Sequence, residues 1–248
     1  MPETVLDKLK PEAAVKLRPF LDEVLAGFRQ DIHSIHVTGT AVTDDFNEKV
    51  SDVNSIFVLK EMNLKFLEIL APLGKKYGKQ KVAAPLIMVP GYIQSSLDVF
   101  PIEFLNFKRI HATVYGEDIL KDLVIDRMDL RIQCERELKS KLIWLRQGYL
   151  SSQGDKKLLK EGFVGSISGI IPLFRGIIML FGKEPPVLQN DVIEDLGKET
   201  GVNTGVFSQV LNEKHGKIKL APEEVNSVFL EYYAATEKLG EIVDEIKE

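Results

Sequence analysis

Cysteine, tryptophan and histidine are scarce in this 248-residue chain, which holds one cysteine, one tryptophan and four histidines. The single cysteine, Cys134, excludes a disulfide framework and a cysteine-based zinc site. Four scattered histidines do not supply a zinc site either. The first residues, MPETVLDKLK, are charged throughout and lack the apolar core of a signal peptide. These absences favour a reducing compartment, and we expect a cytoplasmic protein.

The chain also lacks an excess of basic charge. It carries 37 acidic and 32 basic residues, for a net charge of -5, so no broad electrostatic footprint for nucleic acid is expected. Hydrophobic residues make up 44% and charged residues 28%, which is ordinary usage for a globular protein. A chain of this length usually forms two domains, since a domain typically holds roughly 100 to 150 residues.

A long apolar run is present at only one place, between Phe163 and Gly182. It is long enough to span a membrane, but Arg175 stands near its centre and Pro172 is close by. A central arginine costs roughly 2.5 to 3.5 kcal/mol on insertion scales. The run therefore predicts a buried helix of a bundle, and we expect no membrane partner.

The amino-terminal half shows alternating helix and strand patterns. The predicted helices are Pro11 to Arg29, Asn63 to Tyr77 and the short YIQSSL turn, and the predicted strands are IHSIHV, VNSIFVLK, APLIMV and a last one within residues 98–118. The last strand is favoured by its aromatic and β-branched content, although its apolar residues alternate poorly. This order of elements predicts an α+β sheet domain over residues 1–118.

The carboxyl-terminal half shows helical periodicity alone. The predicted helices are Asp126 to Tyr149, Lys156 to Phe181, Val187 to Thr200, Val206 to Asn212 and Pro222 to Glu245. Pro172 removes a backbone donor and is expected to kink or interrupt the second of them. Residues 119–248 are thus predicted to form an all-α helical bundle domain.

The stretch VTGTAVTDDFNEKVSDVNSIFVL carries the residues with a chemical use. Gly39 followed by Thr40 lets a backbone amide and a hydroxyl approach a phosphate with no Cβ in the way. Asp52 and Asn54 alternate at the start of a strand, so their side chains project from the same face, as two ligands of one divalent cation must. A turn residue that satisfies local backbone is the other interpretation of such an Asp or Asn.

A third acidic residue from a neighbouring strand would complete a site for two magnesium ions. Two such ions, roughly 3.5 to 4 Å apart, clamp an attacking oxygen and a leaving pyrophosphate. That arrangement is the mechanism of nucleotidyl transfer. His33 and His36 are interpreted differently, because residues three apart in a strand face opposite sides and make a poor metal pair; they are predicted to be structural or exposed.

The order of these elements and residues resembles the nucleotidyltransferase superfamily, which includes DNA polymerase β and the kanamycin nucleotidyltransferases. Its pattern is Gly-Ser, a loop of about ten residues, and Asp-x-Asp opening a strand. Gly39 and Thr40 match the Gly-Ser, Asp52 matches the first Asp, and Asn54 replaces the second. The resemblance covers roughly residues 20–118, and it implies a nucleotidyltransferase-like mixed sheet domain followed by a helical bundle.

The resemblance also implies roles for individual residues. Asp52, Asn54 and Glu103 would bind Mg²⁺, with Asp52 and Glu103 as the catalytic carboxylates and Asp98 as the alternative to Glu103. Gly39 and Thr40 would hold the nucleotide's phosphates. The implied activity is transfer of a nucleoside monophosphate from a nucleoside triphosphate to a hydroxyl of a small molecule or protein, reduced by Asn54. The alternative is a catalytically inactive member that binds nucleotide, or a protein-interaction module that pairs with a partner as an antitoxin does.

Overall fold

The computed structural model of the chain describes residues 4–246. Within them the regular elements are α1 (Pro11–Phe28), β1 (Ile32–Thr38), β2 (Asn54–Leu59), α2 (Leu64–Gly78), β3 (Leu86–Met88), α3 (Pro90–Ser95), α4 (Pro101–Arg109), β4 (His111–Gly116), α5 (Arg127–Ser151), α6 (Lys156–Leu180), α7 (Gln189–Thr200), α8 (Gly205–Lys214) and α9 (Val225–Glu245). The architecture is α+β, with a mixed sheet followed by a helical bundle.

The chain divides into two compact units. The first holds the residues up to Leu97 together with Phe104–Val124, and the second holds Asp98–Glu103 and the residues from Ile125 onward. The division therefore passes through helix α4, whose first three residues belong to the second unit.

The first unit is built on a sheet with the strand order β3-β2-β1-β4. Strand β1 is antiparallel to β2 and to β4, whereas β2 is parallel to β3. Parallel strands need a crossover connection, and helix α2 provides it between β2 and β3. Strand β1 thus lies inside the sheet, where the residues at its carboxyl end have a strand on each side.

One face of the sheet packs against α1 and α2. Helix α1 buries Leu17, Phe20 and Val24 along one stripe, because its apolar residues recur every three or four positions. The Phe20 ring contacts Phe57 of β2 edge to face, with 5.8 Å between the ring centroids. The buried strand residues that join this core are Ile32, Ile35, Val37, Phe57, Leu59, Ala112, Val114 and Tyr115.

The other face of β1 carries polar side chains. Between Ile32 and Ser34 the register against β2 shifts by one residue, so the alternation of inward and outward positions changes phase there. After the shift, His36 stands opposite Ile56 of β2 and Thr113 of β4, and Thr38 stands opposite Asn54 and His111. A polar row across three strands is the result.

The two longest helices of the second unit, α5 and α6, have acidic caps. The carboxylate of Asp126 accepts hydrogen bonds from the first backbone amides of α5, and Asp155 does the same for α6, which satisfies donors that a helix start leaves unpaired.

The core of this unit is aromatic. Its ring contacts link Phe163, Phe174, Phe207, Phe229 and Tyr232.

Helix α6 contains the long apolar run. It is long and apolar enough to cross a membrane by length and composition, and 61% of its most apolar window is buried within the protein. Arg175 is buried too, and its guanidinium donates to the carbonyls of Pro186 at 3.0 Å and Val187 at 2.6 Å. A buried arginine that is hydrogen-bonded to carbonyls in this way fits a helix in the core of a bundle. The helix continues through Pro172, so it is not interrupted there; the alternative, a kink at this residue, stays a prediction.

The strand predicted within residues 98–118 is wrong in its first part. Residues Pro101–Arg109 form helix α4, and only His111–Gly116 form a strand. Proline is well suited to the first position of a helix, and Ile102, Phe104 and Leu105 of this helix are buried. Burial of these residues overrides the β-propensity of the phenylalanine and isoleucine. Glu103, expected on a strand, therefore lies in the first turn of α4.

Candidate nucleotide-binding and metal-binding site

The chain turns sharply where β1 ends. Gly39 has a φ of +74°, a conformation that residues with a Cβ rarely adopt. The short 3-10 turn Gly39–Val42 follows, and the amide of Thr43 closes it on the carbonyl of Thr40 at 2.9 Å. A Cβ on Gly39 would lie 3.9 Å from Nδ2 of Asn54. The structure therefore brings Gly39 and Asn54 side by side, with the turn open toward β2.

Asp52 and Asn54 flank a buried valine at the start of β2. Val53 is fully buried, and its amide donates to the carbonyl of Lys81 at 2.7 Å. Asp52 and Asn54 are both exposed, as alternation along an extended chain requires. Asn54 pairs with Thr38 in the register of the two strands. The carboxylate and the amide thus lie at the same end of the strands as the Gly39 turn.

Glu103 makes a contact of its own in the second unit. Its Oε2 accepts a hydrogen bond from Nε2 of Gln133 at 2.7 Å, and Oε1 of Gln133 accepts from the amide of Ile102 at 2.7 Å. Gln133 is buried, so this pair of bonds ties the first turn of α4 to α5. The alternative carboxylate, Asp98, lies exposed in the turn before α4.

Comparison with known proteins addresses the fold. No protein-family model matches the chain, and no curated protein matches its sequence. Among solved structures, a spectinomycin adenyltransferase from Enterococcus faecialis, crystallised with ATP and spectinomycin, is similar with a TM-score of 0.53 and 17% identity. The similarity covers 92% of this chain and 98% of that one. The chain has a nucleotidyltransferase-like fold.

In this nucleotidyltransferase-like fold, few carboxylates lie in the segments where β1 ends and β2 begins. The segment beside Asp52 and Asn54 that leads into β3 pairs through Val53 and Val82 and reads Val-Ala-Ala-Pro over residues 82–85. In the loop before β2, the carboxylate of Asp44 forms an ion pair with Lys10. Among the described residues, Asp52 is therefore the one carboxylate in the chain segments that pair at the start of β2.

The polar face of the sheet holds a second group of side chains, which the sequence did not indicate. His111 Nε2 lies 2.9 Å from Oδ1 of Asp118, and the rings of His36 and His111 meet edge to face at 5.8 Å between centroids. One ligand atom from each of His36, His111 and Asp118 lies within 4.8 Å of the others. We call these three residues the His-His-Asp cluster.

Hydrogen bonds fix each member of the cluster. His36 contacts the hydroxyls of Ser34 and Thr113, each at 2.9 Å. The pKa of His36 is lowered to about 4, first because burial disfavours the imidazolium and then because a charge on His111 repels it, while Asp118 acts in the opposite sense. Burial raises the pKa of Asp118, but hydrogen bonds from His111 and from nearby backbone amides bring that pKa below its usual value.

Proposed function

We propose that the chain binds a nucleoside triphosphate with Mg²⁺ at the Gly39 turn and the start of β2, and that it transfers the nucleoside monophosphate at a reduced rate. The juxtaposition of Gly39 with Asn54 carries the proposal, because it sets a turn without a Cβ beside a side chain that can bind a metal. The nucleotidyltransferase-like fold supports it. Because the similar adenyltransferase was crystallised with ATP and spectinomycin, we take a nucleoside triphosphate and a small-molecule acceptor as the ligands to test.

The donors at this edge fit a nucleotide-bound Mg²⁺. That ion keeps several waters and needs only one or two protein ligands besides the phosphates, which the Asp52 carboxylate and the Asn54 amide oxygen can provide. Bound Mg²⁺ would neutralise the phosphate charge. The Thr40 hydroxyl would hold the phosphates in the same turn. The Gly39 amide would join it by leaving the carbonyl of Ile110, to which it donates at 3.4 Å. An ion that arrives without a nucleotide depends on protein charge, and Asn54 removes one negative charge from its site.

Transfer itself requires a base and a leaving group. The acceptor's hydroxyl oxygen forms a bond to the α-phosphorus, the bond from that phosphorus to its bridging oxygen breaks, and pyrophosphate leaves with the electron pair. The hydroxyl proton goes to a base, the role that the family resemblance implies for Glu103. Oε2 of Glu103 accepts from Gln133, so Oε1 would take the proton in this role.

The second candidate function is a nucleotide-binding module without transfer. It is favoured by the Val-Ala-Ala-Pro segment beside Asp52, which brings no further carboxylate to the sheet edge. Both candidates require nucleotide binding. They differ in whether pyrophosphate is released.

Isothermal titration calorimetry with ATP, CTP, GTP and UTP, with and without Mg²⁺, tests the binding. We expect Mg²⁺-dependent binding of at least one nucleotide, weakened at least about tenfold by Asp52→Asn, because the bound cation loses a full ligand charge. Asp44→Asn is the matched control, since it removes a carboxylate in the preceding loop and should leave binding unchanged. If the wild-type protein binds no nucleotide, both candidate functions are wrong and the protein-interaction module remains as the alternative.

Asn54→Asp separates the two candidates. Gain of Mg²⁺-dependent pyrophosphate release in the presence of hydroxyl acceptors such as aminocyclitols would show a transfer site that lacks one charge. Tighter Mg²⁺ binding without pyrophosphate release would identify a binding module. Glu103→Gln, which keeps an acceptor for Gln133, abolishes release if Glu103 is the base and leaves it unchanged if its role is the bond to Gln133.

A further inference from the structure

The His-His-Asp cluster lies on the polar face of the sheet, and none of its three residues is among those proposed to hold the nucleotide. Strands β1 and β4 contribute His36 and His111, and Asp118 follows β4 by two residues. The register places Thr113 opposite His36 and His111 opposite Thr38. The two histidines are therefore diagonal neighbours on one face of an antiparallel pair, close enough for their side chains to interact.

The contacts of His111 place an oxygen beside each of its ring nitrogens. Its Nδ1 lies 3.2 Å from the carbonyl oxygen of Lys108, and its Nε2 lies 2.9 Å from the carboxylate oxygen of Asp118. A carbonyl oxygen and an ionised carboxylate oxygen both accept hydrogen bonds, so a cation bound between Nε2 and Asp118 would suit both groups while Nδ1 donates to the carbonyl. A metal-bound histidine uses this same arrangement, in which the nitrogen away from the metal donates to a backbone carbonyl.

His36 can complete such a site without losing its support. Both of its hydroxyl partners, on Ser34 and Thr113, can donate or accept. One ring nitrogen can therefore turn its lone pair to a cation while the other keeps a hydrogen bond. Its full burial in the sheet holds the ring in place.

Asp118 is fixed by hydrogen bonds and remains accessible to solvent. Its Oδ1 also accepts from the amides of Leu120 at 3.2 Å and Lys121 at 3.3 Å, so the carboxylate is fixed by its own loop. Its side chain is 33% exposed, whereas that of His111 is 8% exposed. A cation can thus enter from the Asp118 side and meet two nitrogen ligands behind it.

We propose that His36, His111 and Asp118 bind one divalent transition-metal ion of the Zn²⁺ class, with water at the remaining positions. Two imidazole nitrogens and one carboxylate oxygen suit Zn²⁺, Co²⁺ or Ni²⁺, whereas Mg²⁺ prefers oxygen ligands. Ligands of a tetrahedral zinc ion lie roughly 3.3 Å apart. The ligand atoms here, within 4.8 Å of one another, need only draw together by small side-chain movements.

The test uses the full-length chain, treated with a chelator and then titrated with Co²⁺ and with Zn²⁺. We expect one Co²⁺ per chain, with visible d–d absorption of a nitrogen and oxygen site, displaced by Zn²⁺ and unaffected by millimolar Mg²⁺. Asp118→Asn keeps an oxygen for the two backbone amides but loses the charge, and should weaken binding more than about tenfold. His111→Gln should do the same.

His33→Gln is the matched control. His33 is half-buried on the same strand and faces Glu117 at 3.6 Å, but it is not a member of the cluster. Binding should survive this change, and circular dichroism should show that every variant remains folded. No Co²⁺ or Zn²⁺ binding by the wild-type chain, or an equal loss in His33→Gln and Asp118→Asn, would overturn the proposal. In that case His111 and Asp118 form only an ion pair.

Discussion

His36 is a buried histidine with a hydroxyl at each ring nitrogen, and its burial makes stability depend on pH. The pKa of His36 is lowered to about 4 in the folded protein, by burial first and then by His111, against roughly 6.5 in an unfolded chain. The unfolded chain therefore binds more protons between these two values. The contribution of His36 is present above about pH 6.5 and is lost as the pH falls toward 4.

We predict a loss on the order of 3 kcal/mol from this residue across that range. Calorimetric unfolding at pH 7, 6, 5 and 4 with a chelator present would measure it. The groups that face His36 are His111, Asp118 and His33, and these stay unchanged in a His36→Gln variant. That variant should lose less stability on acidification than the wild-type protein. Parallel losses in the two proteins would show that His36 does not titrate in this range.

Local relationships between residues could be predicted from the sequence, and distant ones could not. The turn at Gly39 and the shared side of Asp52 and Asn54 depend on conformations within a few residues. The His-His-Asp cluster depends on how β4 pairs with β1, including a register shift between Ile35 and His36. No local spacing carries that information. Spacing along β1 alone therefore describes its histidines one by one and does not reveal their joint arrangement with His111.

Helices and strands were predictable where one periodicity dominated. Helix α1, predicted to run from Pro11 to Arg29, ends one residue earlier, and α6, predicted to end at Phe181, ends at Leu180. The prediction was wrong for residues 98–109 because the sequence PIEFLNF fits neither the helical nor the strand periodicity well. Packing therefore decides the conformation of this segment. The error matters for the site, since the role implied for Glu103 assumes a strand position.

Strand β4 ends at a glycine that the sheet requires. Gly116 has a φ of +75°, and a Cβ there would lie 2.1 Å from the carbonyl oxygen of His33 and 2.9 Å from Cα of Ser34. Both contacts are with backbone of β1, which cannot move without breaking the pairing of the two strands. A substitution at Gly116 therefore meets both an unfavourable φ and a steric clash.

We predict that Gly116→Ala lowers the free energy of unfolding of the first unit by more than about 3 kcal/mol, which is above the usual range for a single substitution. Gly39→Ala is the matched control, because it has nearly the same φ, +74°, but its Cβ would meet only Asn54 Nδ2 at 3.9 Å. That change should cost roughly 1 to 2 kcal/mol from the backbone conformation alone. Hydrogen exchange of the β1 and β4 amides in increasing denaturant would measure both. Equal effects would mean that β1 yields to the added methyl group.

Each of the two units buries a core of its own, and this governs how damage should spread through the molecule. The first core joins α1 and α2 to the sheet, whereas the second joins rings from helices of the bundle, such as Phe174 and Phe207 at 4.8 Å. Units with separate cores can open separately, with their own free energies. The single tryptophan, Trp144, lies in α5 and reports only on the second unit.

We predict that a defect in one core lowers amide protection in that unit alone. Gly116→Ala should speed hydrogen exchange in β1, β2 and β4 and leave the Trp144 fluorescence transition unchanged. Arg175→Met should do the reverse, because it removes the hydrogen bonds that the buried guanidinium donates to the half-buried carbonyls of Pro186 and Val187. Lys157→Met, at a side chain 81% exposed on the same helix, should change neither unit. If either core defect lowered protection to the same extent throughout the chain, the two units would form a single cooperative structure, and a ligand bound to the sheet would stabilise the bundle as well.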